Sequence, residues 1–345
     1  MTERAPLGGD GRGVLLVTGA PGWLADAFLR SLDREPLDGV ARVRCLVQPA
    51  TSPADVSEGK LRWGVDAEVV HGDLLDPASV ERAVRGVDLI VHAAAIMHVR
   101  RIDEYYAINA QGTRALARAA ARAGAKRFVY VSTNAAAGRS DSRDRSLRET
   151  DPDRPLSHYG RSKWLGERWL FETGGSMERT VLRPCMFYGP PVPQRHVDLY
   201  RRIRSSRMPL VGRGAYARSL THIDNLVQGL RLALTSSRAP GQVYNIADRE
   251  PYTTKAVVDA MARALGVEAR YIPLPPVAAE IAYIADGLLS TVGVYHQTLH
   301  LVGEANWNVG VSIEKAADEL GYRPRVALEE GMRGAIDWCR ERGLL

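Results

Sequence analysis

The chain has 345 residues, 45% of them hydrophobic and 25% charged, with a formal net charge of +6 at pH 7. This length exceeds one typical domain and supplies a large core, so disordered and fibrous classes are excluded. Three cysteines stand far apart without CxxC spacing, so we expect free thiols in a reducing cytoplasm, with no metal site and no disulfide framework. No apolar run of about 18 residues occurs, so no membrane span is expected.

The positive charge comes mainly from arginines spread along the chain. The densest run is Arg201, Arg202, Arg204 and Arg207, with only Tyr200 as an interleaved aromatic residue. A nucleic-acid-binding protein would concentrate its charge on one face or tail, so no nucleic-acid partner is expected. A modestly positive cleft suits a phosphate-bearing cofactor or an acidic substrate.

Strand-like and helix-like segments alternate after a polar, glycine-rich lead-in over residues 1–13, which we expect to be disordered. The expected strands are residues 14–18, 40–47, 67–71, 88–93, 126–132 and 180–182. The expected helices are residues 23–32, 78–85, 105–123 and 159–171. This alternation predicts the α/β class, a Rossmann-type doubly wound parallel sheet with a smaller mixed C-terminal substrate lobe.

A glycine-rich loop follows the first strand directly and reads Thr18-Gly19-Ala20-Pro21-Gly22-Trp23-Leu24-Ala25. Glycines let the backbone turn tightly and approach a pyrophosphate, which the next helix N-terminus stabilises. Two glycines occur in many strand–helix turns, but their place on the first strand favours a dinucleotide site. The choice between NAD and NADP stays open, because Gln48 stands after the second strand where an acid or an arginine would decide it.

The dinucleotide prediction divides the chain. Residues 14–183 form the expected dinucleotide-binding domain, which residues 219–248 rejoin. Residues 184–218 and 249–345 form the expected substrate lobe. Within that lobe, residues 277–294 are apolar and are expected to form a helix over the substrate cleft. A helix lying on a membrane surface is the weaker alternative, because its polar face lacks lysine and arginine.

Small and acidic residues follow the third and fourth strands. Asp73 stands where its carboxylate would accept a hydrogen bond from an adenine amino group, although a turn aspartate explains it equally well. Ala93, Ala94 and Ala95 are small enough to pass beneath a cofactor, and a packing role would look identical.

Tyr159 and Lys163 are four residues apart on an expected helix and therefore share a face. A phenol is a poor base at neutral pH, but a neighbouring ammonium group lowers its pKa. Tyr159 would then exchange a proton with an alcohol or ketone oxygen during hydride transfer, aided by a hydroxyl from Ser132 or Thr133. A solvent-exposed pair is the alternative for these two residues taken alone.

The chain resembles the extended short-chain dehydrogenases/reductases, also called the NAD-dependent epimerase/dehydratase family, from Val14 to about Trp338. The matching motifs, in order, are the glycine-rich loop, Gly72-Asp73-Leu74, His92-Ala93-Ala94, Asn109-Ala110-Gln111-Gly112-Thr113, Val131-Ser132-Thr133, Tyr159-Gly160-Arg161-Ser162-Lys163, Arg183-Pro184, Tyr188-Gly189-Pro190 and Thr221-His222-Ile223-Asp224-Asn225.

The resemblance implies roles residue by residue. Thr133, Tyr159, Lys163 and Asn109 would form the catalytic set, with Lys163 also holding the nicotinamide ribose. The implied cofactor-binding residues are Gly19, Ala20, Pro21, Gly22, Trp23, Leu24, Gln48, Asp73, Leu74, Ala93, Ala94, Ala95, Val131, Ser132, Tyr159, Lys163, Pro184 and Met186. The implied substrate-binding residues are Thr133, Asn134, His158, Tyr188 and Arg218.

Several functions remain open within this resemblance. Asn134-Ala135 replaces the Asp-Glu pair of sugar-nucleotide dehydratases, which disfavours a 4,6-dehydratase. Arg218 matches an arginine that grips a diphosphate in nucleotide-sugar epimerases. The apolar segment 277–294 instead suits an alicyclic alcohol, as in the 3β-hydroxysteroid dehydrogenases. A dinucleotide-binding redox sensor or scaffold is the non-enzyme alternative, and a homodimer through helices 105–123 and 159–171 is expected.

Overall fold

The computed structural model describes residues 13–49, 63–97, 99–291, 293, 296, 299 and 302–345. The expected lead-in therefore lies outside the described residues except for Gly13, which is buried and is the first residue of strand β1. Among the described residues, no helix combines the length and the apolar character that crossing a bilayer requires.

A seven-stranded parallel sheet forms the centre of the fold, in the order β3-β2-β1-β4-β5-β6-β11. Its strands are β1 (Gly13–Thr18), β2 (Val40–Val47), β3 (Ala67–His71), β4 (Leu89–His92), β5 (Arg127–Val131), β6 (Glu178–Pro184) and β11 (Val243–Ile246). The predicted doubly wound α/β class is confirmed. The strand order reverses between β1 and β4, and a ligand cleft forms outside the strand ends at such a point.

Helices cover both faces of the sheet. They are α1 (Trp23–Arg34), α2 (Pro77–Val84), α3 (Ile102–Tyr105), α4 (Thr113–Arg122), α5 (His158–Phe171) and α7 (Ile223–Thr235). Side chains of β1 alternate between two cores: Leu15 packs in the core with α1 and α7, and Leu16 in the core with α2, α4 and α5. This alternation follows from the two-residue period of a strand.

Hydrogen-bonding side chains fix where two of these helices begin. The carboxylate of Asp76 accepts from the N–H groups of Ala78 and Ser79 and caps α2. The hydroxyl of Ser157 accepts from the N–H of Gly160 and caps α5. Each cap satisfies donors that have no partner inside the helix.

The expected helix over residues 105–123 differs from the structure in its middle. A π-helix over Tyr106–Gly112 separates α3 from α4. Apolar periodicity does not distinguish the wider π turn from an α turn, and such turns concentrate at functional sites. In this chain the π-helix carries the buried side chain of Asn109.

The remaining elements, except the helix over residues 314–320, which packs on β11 and α7 of the sheet domain, build a second lobe that the sequence pattern predicted only as irregular and mixed. They are β7 (Met186–Tyr188), α6 (Gln194–Ser205), β8 (Met208–Val211), β9 (Ala217–Arg218), β10 (Leu220–His222), β12 (Tyr252–Thr253), α8 (Thr254–Leu265), β13 (Tyr271–Leu274), α9 (Pro276–Thr291), α10 (Glu314–Leu320) and α11 (Leu328–Glu341). Helices α6, α8 and α11 share one apolar cluster. The short strands pair as β7–β10, β8–β13 and β9–β12.

Candidate active site

The glycine-rich loop leaves the N-terminus of α1 open for a phosphate group. Gly22 caps α1 without any side-chain hydrogen bond. Gly19 has φ +89°, and a Cβ there would lie 2.7 Å from the backbone nitrogen of Ala94. A Cβ on Gly22 would lie 2.4 Å from the carbonyl oxygen of Gly19. The loop therefore requires glycine at both positions, and it fits the pyrophosphate of a dinucleotide.

A directional hydrogen-bond chain lies under the loop. The Thr113 hydroxyl donates to the carbonyl of Asn109 at 2.7 Å, so its oxygen accepts from Nε2–H of His92 at 2.9 Å. Nδ1 of His92 then accepts from the Thr18 hydroxyl at 2.7 Å, whose oxygen accepts from the N–H of Ala94. This order requires a neutral imidazole, and burial together with the nearby Lys163 charge lowers the pKa of His92 well below its usual value. His92 was not among the expected site residues.

Asn109 connects the loop after β4 to helix α5. Its Oδ1 accepts from the N–H of Ile96 at 2.9 Å, and its Nδ2 donates to the carbonyl of Ile96 at 3.0 Å. Nδ2 also donates to the Ser162 hydroxyl at 3.1 Å, and that hydroxyl donates to the carbonyl of Tyr159. The structure thus places Asn109 as a support for the helix turn that carries Tyr159.

Two hydroxyls follow β5, and only one of them is directed towards Tyr159. The hydroxyl of Ser132 donates to the buried carboxylate of Glu167. The hydroxyl of Thr133 accepts from the N–H of Ala135 at 3.2 Å, and the Thr133 side chain lowers the pKa of the nearby Tyr159 phenol. Thr133 is therefore the hydroxyl that can share a substrate oxygen with Tyr159.

The lysine does not act on the phenol as expected. Lys163 is buried, its Nζ donates to the carbonyl of Val131 at 2.7 Å, and it lies 4.2 Å from the ring centre of Tyr130. Burial lowers the pKa of Lys163 to about 7, against the opposing effect of Glu167.

The phenol itself is not activated in this structure. Burial raises the pKa of Tyr159 to about 12, while the Thr133 hydrogen bond and the charge of Arg195 lower it. The expectation that Lys163 lowers this pKa is not met, because its ammonium group is directed to the Val131 carbonyl and the Tyr130 ring.

A buried ionic network stands behind this group. Nε of Arg183 donates to the Glu167 carboxylate at 3.0 Å, and Arg183 also binds Asp153 in a bidentate pair at 2.7 and 2.9 Å. Because Glu167 also accepts from Ser132, the network joins β5, β6 and α5. It holds the backbone carbonyl that positions Lys163.

The expected substrate-binding residues divide into two groups. Asn134 lies in the turn after β5 that contacts α5, and His158 directly precedes Tyr159. Nδ1 of His158 pairs with the Tyr106 hydroxyl at 2.8 Å. Tyr188, by contrast, is buried and donates to Asp248 at 2.8 Å, so its hydroxyl is already engaged inside the second lobe. Arg218 donates to the Thr254 hydroxyl at 3.0 Å and to the carbonyl of Glu304 at 2.8 Å.

The expected cofactor residues occupy the carboxyl edge of the sheet. Gln48 and Met186 are exposed, and Pro184 ends β6. One carboxylate oxygen of Asp73 accepts from the N–H of Leu75 at 2.8 Å and stabilises the turn that contains both residues. Leu74 is buried and packs so close to Gly112 that a Cβ at that glycine would touch the leucine side chain.

An aromatic and basic cluster beside the glycine loop was missed by sequence reasoning. The Trp23 ring packs on Phe187 at 4.9 Å and on His196 at 5.0 Å, with the Arg195 guanidinium 5.6 Å above it. Nε1 of Trp23 and Nδ1 of His196 are buried and find no hydrogen-bond partner within the described residues. The signal available was the position of helix α6 directly after the Tyr188-Gly189-Pro190 motif.

No group of three potential metal ligands occurs among the residues that the structure describes. The donors assembled at the cleft are glycine backbone, an open helix N-terminus, hydroxyls and a buried lysine. That set fits a nicotinamide dinucleotide.

Comparison with known proteins identifies the class. The model of the NAD dependent epimerase/dehydratase family matches residues 15–247, and the chain belongs to this family. It is therefore an enzyme of the extended short-chain dehydrogenase/reductase type, a family described as NAD dependent.

Individual relatives match along nearly the whole chain. A Sinorhizobium fredii protein named uncharacterized protein y4nL is 35% identical over 99% of this chain and 98% of its own length. A dTDP-glucose 4,6-dehydratase of Streptomyces antibioticus is 30% identical over 95% of this chain and 92% of its own. The structure of DesIV, a dTDP-glucose 4,6-dehydratase from Streptomyces venezuelae with NAD and TYD bound, aligns with a TM-score of 0.73 and 27% identity over 96% of this chain and 98% of that one.

Proposed function

We propose that the protein transfers a hydride between a nicotinamide cofactor and a secondary alcohol or ketone of an alicyclic or sugar-like substrate. The observation that carries this proposal is the position of Thr133, whose side chain is close enough to lower the pKa of the Tyr159 phenol, while the Ser132 hydroxyl donates to Glu167. Two hydroxyls directed at one point can hold a single substrate oxygen and move its proton.

The proposed chemistry is a proton transfer at the phenol coupled to hydride transfer. When bound, the nicotinamide supplies the hydride acceptor or donor. In the oxidation direction, Tyr159 takes the proton from the substrate hydroxyl as the hydride leaves its carbon and the carbonyl forms. In reduction, Tyr159 returns the proton to the carbonyl oxygen. Thr133 donates a hydrogen bond to that oxygen and stabilises its developing charge.

Proton transfer needs a lower phenol pKa than this chain alone provides. Burial holds the pKa of Tyr159 at about 12. A positively charged group near the phenol lowers such a pKa, and the oxidised nicotinamide ring carries that charge. We therefore propose that Tyr159 becomes competent as the base, in the oxidation direction, only with oxidised cofactor in place, and that Lys163 holds the ribose and the β5 backbone.

For the cofactor we propose NAD over NADP. Gln48 at the end of β2 carries no positive charge for a 2′-phosphate, and the family description names NAD. For the cofactor site we propose the glycine-rich loop, the α1 N-terminus and the small residues after β4. Fluorescence titration of cofactor-depleted protein should give a Kd for NADH at least about tenfold below that for NADPH.

A nucleotide-sugar epimerase with tightly bound NAD is the second candidate. Arg218 supports it, because its side chain is bound by two neutral groups, Thr254 and the Glu304 carbonyl. Burial lowers the pKa of Arg218 and the Glu304 carboxylate raises it, so a diphosphate bound there would have to compete with that carboxylate. Dehydration is not proposed, since Asn134 and Ala135 offer neither an acid nor a base beside Thr133.

One screen separates these candidates and tests the proposal. The protein with NAD is incubated with UDP-hexoses, dTDP-hexoses, and alicyclic secondary alcohols and ketones, and reduced nicotinamide and epimerised sugar are both measured. Net nicotinamide reduction with an alicyclic alcohol supports the oxidoreductase, and sugar epimerisation without net reduction supports the epimerase. If NADH binds but no substrate of either class reacts, a redox sensor or scaffold replaces both. If neither dinucleotide binds, all three fail.

We further propose a cytoplasmic homodimer. The three cysteines are buried free thiols, which suits a reducing compartment. The partly exposed rings of Trp164 and Trp169 lie on α5, where Arg114 of α4 stacks 5.0 Å from Trp169. Trp164→Ala/Trp169→Ala should convert a dimer into a monomer in light scattering, and a wild-type monomer would refute the proposal.

A further inference from the structure

Helix α9 presents its largest apolar side chains to solvent. It packs on the protein through alanines, since Ala279 is 0% and Ala282 is 6% exposed. The exposed side chains are Val277 (51%), Ile281 (62%), Ile284 (62%) and Leu288 (66%). Their spacing of four, three and four residues puts them on one line along the helix, opposite the alanines. We call these four residues the apolar stripe.

Such a stripe is unusual on a water-exposed surface. Single exposed apolar residues are normal, but a contiguous apolar patch marks a binding surface for a protein, a membrane or a ligand. The helix has two acids, Glu280 and Asp286, and neither lies within the stripe. It has no lysine or arginine of its own, which is why the sequence alone disfavoured a membrane surface.

Arginines next to the strands on which α9 packs supply the positive charge that the helix itself lacks. Helix α9 packs on β8, which pairs with β13 in a register that aligns Met208 with Tyr271. Arg207 and Arg270 immediately precede those two residues and so lie together at one end of the strand pair. Arg213 follows the other end of β8, where α9 begins.

The side chains of these arginines are accessible to an anion. The side chains of Arg207, Arg213 and Arg270 are all exposed, and none forms an ion pair with another residue in the described part of the chain. Arg207 belongs to the densest arginine run of the sequence, which the catalytic proposal does not use. Exposed arginines at the ends of the strand pair on which an apolar helix packs are complementary to a layer of phosphate headgroups over acyl chains.

We propose that the apolar stripe and these arginines form a peripheral binding surface for a membrane rich in anionic phospholipid. The stripe inserts at the boundary of headgroups and acyl chains, and the arginines bind lipid phosphates. A second copy of the chain is a poorer occupant, because a two-fold contact centred on α9 would bring the same arginines of both copies close together.

Vesicle flotation tests this surface with the full chain. The protein is mixed with vesicles of phosphatidylcholine and phosphatidylglycerol in equal parts, or with phosphatidylcholine alone. Wild type should float with the mixed vesicles, more weakly with the neutral ones, and less at high salt because screening weakens the arginine contacts. Ile281→Ser/Ile284→Ser should lower the partition coefficient by about tenfold or more.

Charge variants and controls complete the design. Arg207→Gln/Arg270→Gln should lower binding to the mixed vesicles by about fivefold for each arginine. Leu75→Ser, at a side chain that is 50% exposed after β3, and Arg34→Gln/Arg42→Gln on the sheet domain are matched controls and should leave flotation unchanged. NADH affinity and thermal unfolding of every variant verify that each is folded.

Three outcomes overturn the proposal. Wild type that floats with neither vesicle has no membrane surface. Stripe variants that float like wild type exclude the stripe from lipid contact. Stripe variants that change only the oligomeric state, or only the KM of a water-soluble substrate, assign the stripe to a second copy or to the cover of the substrate cleft. None of these outcomes depends on whether the proposed catalytic chemistry is correct.

Discussion

Ser132 and Thr133 carry adjacent hydroxyls with different partners. Replacing each residue alone separates the structural role of the Ser132 hydroxyl from the proposed catalytic role of the Thr133 hydroxyl. Thr133→Val keeps the shape of the side chain and removes the hydroxyl that lowers the pKa of Tyr159. Ser132→Ala removes the donor to the buried Glu167 carboxylate and leaves the Thr133 hydroxyl in place. The two variants should therefore fail in different ways.

The magnitudes follow from what each hydroxyl contacts. A hydrogen bond to an oxygen that gains charge in the transition state contributes about 1.5–3 kcal/mol, so Thr133→Val should lower kcat by about 10- to 150-fold. Because the Thr133 hydroxyl also caps the turn over Asn134–Ala136 by accepting from the N–H of Ala135, the variant should lose about 0.5–2 kcal/mol of unfolding free energy. Ser132→Ala leaves Glu167 with Arg183 as its main donor and should lower the free energy of unfolding by about 1–3 kcal/mol. Its kcat should stay within about threefold of wild type.

Steady-state kinetics and urea unfolding of both variants test this assignment, with the substrate that the screen identifies. A large loss of kcat in Ser132→Ala together with a normal kcat in Thr133→Val would refute it. Equal effects of both variants on kcat would show that the two hydroxyls act as one unit and would contradict separate roles for Ser132 and Thr133.

Three further predictions concern the residues around this pair. Lys163→Met should raise stability at neutral pH by at most about 5 kcal/mol, since the pKa of Lys163 is about 7 in the folded chain against 10.5. Between these two pKa values the unfolded chain keeps the Lys163 proton that the folded chain has released, so the wild type becomes more stable as the pH rises. The stability advantage of Lys163→Met, measured by urea unfolding, should therefore shrink with rising pH. Arg183→Met leaves Glu167 buried and unpaired and should cost about 3–5 kcal/mol of unfolding free energy. Gly19→Ala should weaken NADH binding by about tenfold or more in a fluorescence titration, with Gly174→Ala, which meets no atom within 4 Å, as the unaffected control.

Buried apolar runs made the sheet predictable. The expected strands at residues 40–47 and 67–71 coincide with β2 and β3, and the others differ by a few residues at their ends. Strands β1, β4 and β5 are buried along their whole length and show the nearly continuous apolar sequence typical of such parallel strands. The second lobe lacks such runs, and its two-stranded pairings depend on contacts between segments far apart in sequence, such as β8 with β13.

The sequence predicted which residues form the centre of the site, but it did not predict which partner each side chain contacts. Helical spacing placed Tyr159 and Lys163 on one face, and the family resemblance added Thr133, whose side chain does lower the pKa of the Tyr159 phenol. Spacing did not show that Lys163 turns to the Val131 carbonyl, because that direction depends on the neighbouring strand. Arg195 was missed for the same reason, since α6 reaches the glycine-rich loop only through tertiary packing.

The most direct test of the proposed chemistry is a single-turnover measurement on Tyr159→Phe with bound NAD. Reduced nicotinamide should form about 10²- to 10⁴-fold more slowly than in wild type, with the Kd for NADH within about twofold, because only the acid/base hydroxyl is lost. Turnover at the wild-type rate would contradict the assignment of Tyr159 as the acid/base.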